Sequence, residues 1–107
     1  MKYTDIWGDE LDMEFIRTHY IDNGRPAIVA VCDGEEYAVV TVNIFAPLTA
    51  LDGYRVHADT NNCERLVEEM CEQGYMTKTG LVGQSGFCEY PEVELNREWF
   101  DSLPSYE

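Results

Sequence analysis

Short apolar runs separated by turn residues fill the first forty-odd positions of the chain. The stretch 12–21 is rich in Phe, Ile, Thr and Tyr, 26–32 is a run of Ala, Ile and Val, and 37–44 reads Tyr-Ala-Val-Val-Thr-Val-Asn-Ile. The turns between them contain Asn23-Gly24 and Asp33-Gly34, dipeptides that readily supply the positive φ of a tight hairpin. The pattern predicts a three-stranded antiparallel meander. The apolar content of its second and third strands predicts that both of their faces are largely covered.

A helical period replaces the strand pattern after position 59. Five apolar residues recur at i, i+3, i+4, i+7 and i+8, which is one face of a helix: Cys63, Leu66, Val67, Met70 and Cys71. We expect Asn61 to be the N-cap, with Glu64 three residues later bonding back to it. Gly74 is predicted to end this helix as a C-cap glycine.

The remaining pattern predicts a short strand at 55–58, strands at 75–79 and 86–95, and a short final helix at 97–103. Gly80, Gly83 and Gly86 mark a loop between the two later strands, and Pro91 favours an edge or bulged position for the second. Asn96 is the expected cap of the final helix. The fold class is therefore α+β in one domain spanning 1–107: a mainly antiparallel sheet (N-terminal three-stranded meander plus C-terminal strands), one central amphipathic helix and a short C-terminal helix.

Charge narrows the choice of partners. The chain has 21 acidic and 7 basic residues, a formal net charge of −14. Such a surface repels nucleic acid and anionic lipid, and it attracts basic protein surfaces, including those that normally hold DNA or RNA. We therefore expect no direct nucleic-acid binding and no membrane association. A high net charge also keeps a protein soluble and monomeric without any partner, and that alternative stays open.

The acids form two clusters, which are the candidate partner-binding residues. The N-terminal cluster is Asp5, Asp9, Glu10 and Asp12, with Glu14 beside it, and the helical cluster is Glu64, Glu68, Glu69 and Glu72. Within the helix, Glu64, Glu68 and Glu72 form a row about 6 Å apart, close to the spacing of backbone phosphates. The row is the physical basis for a nucleic-acid mimic. The alternative is an ordinary solvated helix face, and Arg65 partly breaks the acidic row.

No pattern in the sequence points to catalysis, a metal or a cofactor. The four cysteines form no CxxC pair, and Cys63 and Cys71 are too far apart on a helix for a disulfide, so reduced thiols are expected. Cys63 lies near a helix N-terminus, but burial on the apolar stripe is the stronger influence. His57 and Asp59 share a strand face and are expected to form a structural hydrogen bond. We predict no enzyme activity, although carboxylates that folding brings together are an alternative.

The beginning of the chain lacks the basic region and apolar stretch of a signal peptide. No run of apolar residues approaches the length of a membrane span. Both observations favour a cytoplasmic location.

Four short stretches of turn and cap residues carry a resemblance. They are Gly34 to Ala38 leading to Thr41-Val42-Asn43, the stretch 59–62, Thr79-Gly80, and Gly86-Phe87 with Tyr90-Pro91. In these the chain resembles a family of short uncharacterised bacterial proteins, domains of unknown function that are common on conjugative and phage-related elements of gut bacteria. The resemblance implies a fold and a genetic context, and it supplies no catalytic residues. Small acidic proteins of mobile elements include decoys of host defence nucleases, so the resemblance favours the mimic hypothesis.

Three functional classes follow from these observations. The first is an acidic protein-binding module for a basic surface, in its most specific form a nucleic-acid mimic acting on a host DNA-binding or defence protein. The second is a structural or homodimerising interaction domain without a charge-specific partner. The third, and least favoured, is a small carboxylate-dependent enzyme. The sequence leaves the oligomeric state open between monomer and homodimer.

Overall fold

The computed structural model describes residues 1–106, and it confirms an α+β fold with mainly antiparallel sheet. Within these residues the elements are β1 Lys2–Thr4, β2 Glu10–His19, β3 Pro26–Cys32, β4 Glu35–Val39, β5 Thr41–Val42, β6 Arg55–Ala58, α1 Thr60–Glu72, β7 Met76–Ser85, β8 Cys88–Leu95 and α2 Arg97–Ser102. The strands form two four-stranded antiparallel sheets. The first has the order β1-β2-β3-β4, and the second has the order β5-β6-β8-β7.

The predicted meander is present as β2, β3 and β4. Asp33 and Gly34 have φ values of 53° and 79°, the two successive left-handed residues of a type I′ hairpin turn. Strand β3 is buried along almost its whole length. The predicted coverage of the second strand is therefore present in the structure.

The third predicted strand is two strands, because Val40 interrupts it. The Val40 N–H donates to the Ile28 carbonyl at 2.9 Å, and the Val40 carbonyl accepts from the Asp59 N–H at 2.8 Å. Val40 thus joins the two sheets, with β4 on one side and β5 on the other. The predicted coverage of both faces is wrong for β4, where Tyr37 and Val39 are exposed, since β4 is the edge strand of the first sheet.

Helix α1 begins two residues earlier than the caps in the sequence suggested. Asp59, not Asn61, is the N-cap, and its carboxylate accepts from the Asn62 backbone N–H at 3.1 Å. The reason is tertiary, because the hydrogen bond from Asp59 to Val40 holds the chain where β6 ends. At the other end Gly74 has φ 80°, and hydrogen bonds from Tyr75 to Met70 and from Gly74 to Cys71 complete a Schellman motif. The predicted C-cap is confirmed.

The predicted loop between the last two strands is wrong. Strand β7 continues through Gly80 and Gly83 to Ser85, and only Gly86 and Phe87 lie between it and β8. A register shift between Lys78 and Val82 accommodates the irregular stretch without ending the strand. Pro91 lies opposite Val82, where regular pairing resumes. Since β8 is an interior strand, the proline marks the bulge and not an edge.

The core lies between the sheets and α1. Helix α1 buries the predicted stripe, with Cys71 only partly covered, against the second sheet, and α2 contributes Phe100. Trp99 of α2 stacks on Tyr75 with ring centroids 4.6 Å apart. Neither helix in residues 1–106 has both the length and the apolar character of a membrane span.

Candidate functional site

A groove of about 630 Å³ lies between the turn that follows β1 and the first half of α1. We call it the acidic groove. Its lining is aromatic and apolar on one side and polar on the other: Tyr3, Ile6, Trp7, Tyr37, Asn61, Asn62, Cys63, Glu64, Arg65 and Glu68. Folding thus brings the loop that carries the first acidic cluster next to the helix that carries the second.

Asp5 builds the turn that forms one wall of the groove. Its side chain is buried, and Oδ1 accepts from the backbone N–H groups of Trp7 and Asp9, each at 2.9 Å. The Gly8 N–H donates to the Asp5 carbonyl at 3.1 Å. The turn projects Ile6 and Trp7 outward, where they are 70% and 79% exposed. Asp5 is therefore committed to the backbone, while the two apolar side chains it positions are free to meet a partner.

The other N-terminal acids lie on the surface, and cations within the chain offset two of them. Glu10, Asp12 and Glu14 alternate on the exposed face of β2. Glu10 pairs with Lys2 at 3.4 Å, and Asp12 lies 3.8 Å from the N-terminal ammonium. Asp9 is exposed in the turn. These residues contribute to the negative field but do not line the groove.

The helical acids do not form an uninterrupted row. Glu64, Glu68 and Glu72 are exposed, and Glu69 is half-buried. Glu68 accepts a hydrogen bond from Lys78 of β7, and this bond raises the pKa of Lys78. Glu64 has no ion pair within residues 1–106 and lines the groove. Glu64, a carboxylate without an ion pair in the described residues, therefore lines the groove together with Trp7 and Tyr37, and Arg65 lies in the same lining.

A second polar cluster is buried on the opposite face of the second sheet, beneath the segment 43–54. Glu92 and His57 are each only 2% exposed, and they are directly paired in register on β8 and β6. The Glu92 carboxylate accepts from the Thr49 N–H at 2.6 Å, the Thr49 hydroxyl at 2.9 Å and the Thr79 hydroxyl at 2.6 Å. Arg55 donates to the Thr49 hydroxyl and pairs with Glu94 at 3.1 Å. A buried carboxylate thus fastens the 43–54 segment onto the sheet.

His57 packs so tightly that residue 83 has to be glycine. A Cβ on Gly83 would lie 2.5 Å from His57 Nε2 and 2.7 Å from the Ala46 Cβ. The expected hydrogen bond between His57 and Asp59 is absent from the described residues, because Asp59 caps α1 instead. The Nε2 and Cδ2 edge of the His57 ring lies against Gly83.

Both buried groups have shifted acid–base equilibria. Burial, and then the charge of Arg25, lower the pKa of His57 against the opposing effect of Glu92. Burial alone would raise the pKa of Glu92, but the hydrogen bonds from Thr79 and Thr49 and the charge of Arg55 outweigh it and lower that pKa. Near neutral pH the cluster therefore contains a neutral imidazole and an ionised carboxylate.

This cluster was not predicted from the sequence, although the pattern of residues on two strands indicates it. Arg55 and His57 alternate with apolar residues on one strand, and Glu92 and Glu94 do so on another. Two strands with charges at every second position predict a polar sheet face. Which strands pair, and that the 43–54 segment covers this face, depends on contacts far apart in the chain.

Burial decides the acid–base state of Cys63, the cysteine near the beginning of α1. All four cysteines are free, and burial followed by the charge of Asp59 raises the pKa of the Cys63 thiol to about 11. The expectation that burial dominates at this position is confirmed. No group of three or more His, Cys, Asp or Glu side chains in residues 1–106 is arranged to hold a metal ion.

No protein-family model matches the chain, and neither a curated protein nor a solved structure is significantly similar to it. The resemblance to a bacterial mobile-element family stays a prediction. The candidate function consequently rests on the geometry of the sites alone.

Proposed function

We propose that the protein is a binding module that takes an arginine- or lysine-rich segment of another protein into the acidic groove. The observation that carries the proposal is the exposure of Trp7 and Ile6 beside the unpaired Glu64. Neighbouring exposed apolar side chains with a polar rim are typical of interaction sites.

The groove chemistry matches a basic segment in two ways. A cation over the face of Trp7 or Tyr37 gains an electrostatic attraction of about 0.5–2 kcal/mol, and the alkyl part of the same side chain covers Ile6. Glu64 can then pair with the cation, and the net charge of −14 accelerates its approach. An acidic segment would be repelled by the net charge of the whole molecule, which the single lining cation Arg65 does not offset.

The nucleic-acid mimic is the alternative hypothesis, and it requires different residues of α1. A mimic uses the whole row, including Glu72, as a substitute for consecutive phosphates. The groove proposal needs Glu64 and the aromatic side chains, and it does not need Glu72. The ion pair between Lys78 and Glu68 supports the groove, because it reduces the charge at the centre of the row.

The test measures binding of a fluorescently labelled hexa-arginine peptide by anisotropy. We expect binding at about 50 mM salt that weakens steeply by about 500 mM. Trp7→Ala and Glu64→Gln should each weaken binding about three- to tenfold. Glu72→Gln is the matched control, with the same loss of charge on the same helix outside the groove, and it should retain nearly all of the affinity.

Two outcomes of this experiment would contradict the proposal. Equal losses in Glu64→Gln and Glu72→Gln, with no effect of Trp7→Ala, would contradict the groove and favour the extended row of a mimic. Absence of peptide binding at low salt would refute the proposal in both forms.

A further inference from the structure

A second cavity, of about 220 Å³, opens where the 43–54 segment meets the bulge of β7. Four apolar side chains form its walls: Pro47, Leu48, Leu81 and Val82. Thr49, His57 and Glu92 complete the lining. It lies on the far side of the second sheet from α1, so it is independent of the acidic groove.

His57 is the polar group in this cavity that remains available to a ligand. The Glu92 carboxylate already accepts three hydrogen bonds, from the N–H and hydroxyl of Thr49 and from the Thr79 hydroxyl. The His57 ring is 2% exposed, lines the cavity and makes no hydrogen bond within residues 1–106. An imidazole that lines a cavity and has no partner in the protein can form a hydrogen bond with a ligand there.

The lining also excludes charged ligands. A carboxylate would lie beside the ionised Glu92. An ammonium group would be desolvated against a carboxylate whose oxygens are already hydrogen-bonded by threonines, with Arg55 close by. A neutral imidazole, in contrast, offers one N–H donor and one acceptor nitrogen.

We propose that this cavity binds a small neutral molecule with an apolar ring and one hydroxyl group, of the phenol class. The ring contacts the four apolar side chains, and the hydroxyl forms a hydrogen bond with the His57 imidazole. The volume holds a single small ring, smaller than the pockets of about 300–1,000 Å³ that accept drug-sized ligands.

The chain contains two histidines, which makes the test simple to observe. The probe is 4-methylphenol, titrated while the ring Hε1 signals of His57 and His19 are followed by NMR. We expect a saturable shift of the His57 signal. His19, which packs against Phe100, should not shift. Toluene has the same apolar body without the hydroxyl and should bind about tenfold more weakly.

Two variants distinguish binding in this cavity from nonspecific binding to the protein surface. Leu81 is 53% exposed, so Leu81→Ser should preserve folding while weakening 4-methylphenol binding severalfold. Leu51→Ser, at a leucine 82% exposed and outside this cavity, is the matched control and should bind as the wild type does. An unchanged His57 signal up to the solubility limit, or equal affinity in Leu81→Ser and wild type, would overturn the site. Equal affinity for toluene would overturn the hydrogen bond to His57.

Discussion

Single residues show how this protein places charge where solvent cannot reach it. Glu92 remains ionised inside the second sheet because three hydrogen bonds and Arg55 compensate its lost hydration. His57, its direct neighbour across the strands, has no comparable partner and stays neutral. The same burial therefore yields opposite charge states in two adjacent groups.

The neutral state of His57 predicts a pH dependence of stability. Its pKa in the folded protein is lowered, so the unfolded chain takes up the proton first as the pH falls below about 6.5, the ordinary histidine value. Stability is complete above that pH and is lost as acidification proceeds. Glu92, whose pKa is also lowered, adds a further loss only below about pH 4.5.

The measurement is urea unfolding at several pH values between about 7.5 and 5.5 for the wild type and His57→Gln. We expect the free energy of unfolding of the wild type to fall with decreasing pH more steeply than that of the variant. Parallel curves would show that His57 titrates equally in both states. Lower absolute stability of the variant does not affect the comparison of slopes.

At the scale of elements, local capping rules correctly predicted where α1 ends but not where it begins. The Schellman motif depends on residues 70–75 alone, and Gly74 is the residue that accepts the left-handed conformation at its centre. The beginning depends on Val40, nineteen positions before Asp59, whose carbonyl holds the Asp59 N–H. Several good capping residues follow one another at 59–62, and a tertiary contact selects among them.

This selection predicts different effects of two neighbouring substitutions. Asp59→Ala removes the hydrogen bond to the Asn62 N–H and should lower the free energy of unfolding by about 1 kcal/mol. Asn61→Ala, at the position the sequence favoured, is the control and should cost less than about 0.5 kcal/mol. Chemical denaturation of both variants measures the two losses in free energy of unfolding. A larger loss in Asn61→Ala than in Asp59→Ala would place the N-cap at Asn61. Asp59→Ala also removes one negative charge and so reduces the repulsion among the acids. This stabilising effect opposes the loss of the cap, so the measured loss underestimates the contribution of the cap.

At the scale of the whole molecule, repulsion among the acids opposes the compact state. The ion pairs within residues 1–106 join mostly exposed side chains, such as Lys2 with Glu10 and Arg97 with Asp52, and exposed pairs contribute little. The net charge of −14 remains largely uncompensated. The fold tolerates it because most of the acids, Asp5 and Glu92 excepted, lie at the surface of the sheets and of α1.

We accordingly expect salt to stabilise the wild type. Its melting temperature should rise by several degrees between about 20 mM and about 500 mM sodium chloride, as screening shortens the Debye length from about 20 Å to about 4 Å. Differential scanning fluorimetry measures the change. Sodium chloride is preferable to sulfate, which strengthens apolar burial in addition to screening charge. A melting temperature independent of salt would mean that basic residues near the acids already neutralise their repulsion.

The sequence by itself determined the class of fold, the β2–β4 turns and the buried face of α1, because those features depend on residues within a few positions of one another. Side-chain period and turn chemistry are local properties, and they also showed that acids gather in two clusters. Only the tertiary structure decided that Trp7 lies across a groove from Glu64, and that His57 pairs in register with Glu92 beneath Thr49. Those neighbours are 57, 35 and 43 positions apart in the chain. Contacts at such separations follow from how the sheets pair and how α1 packs on them, which no local pattern specifies.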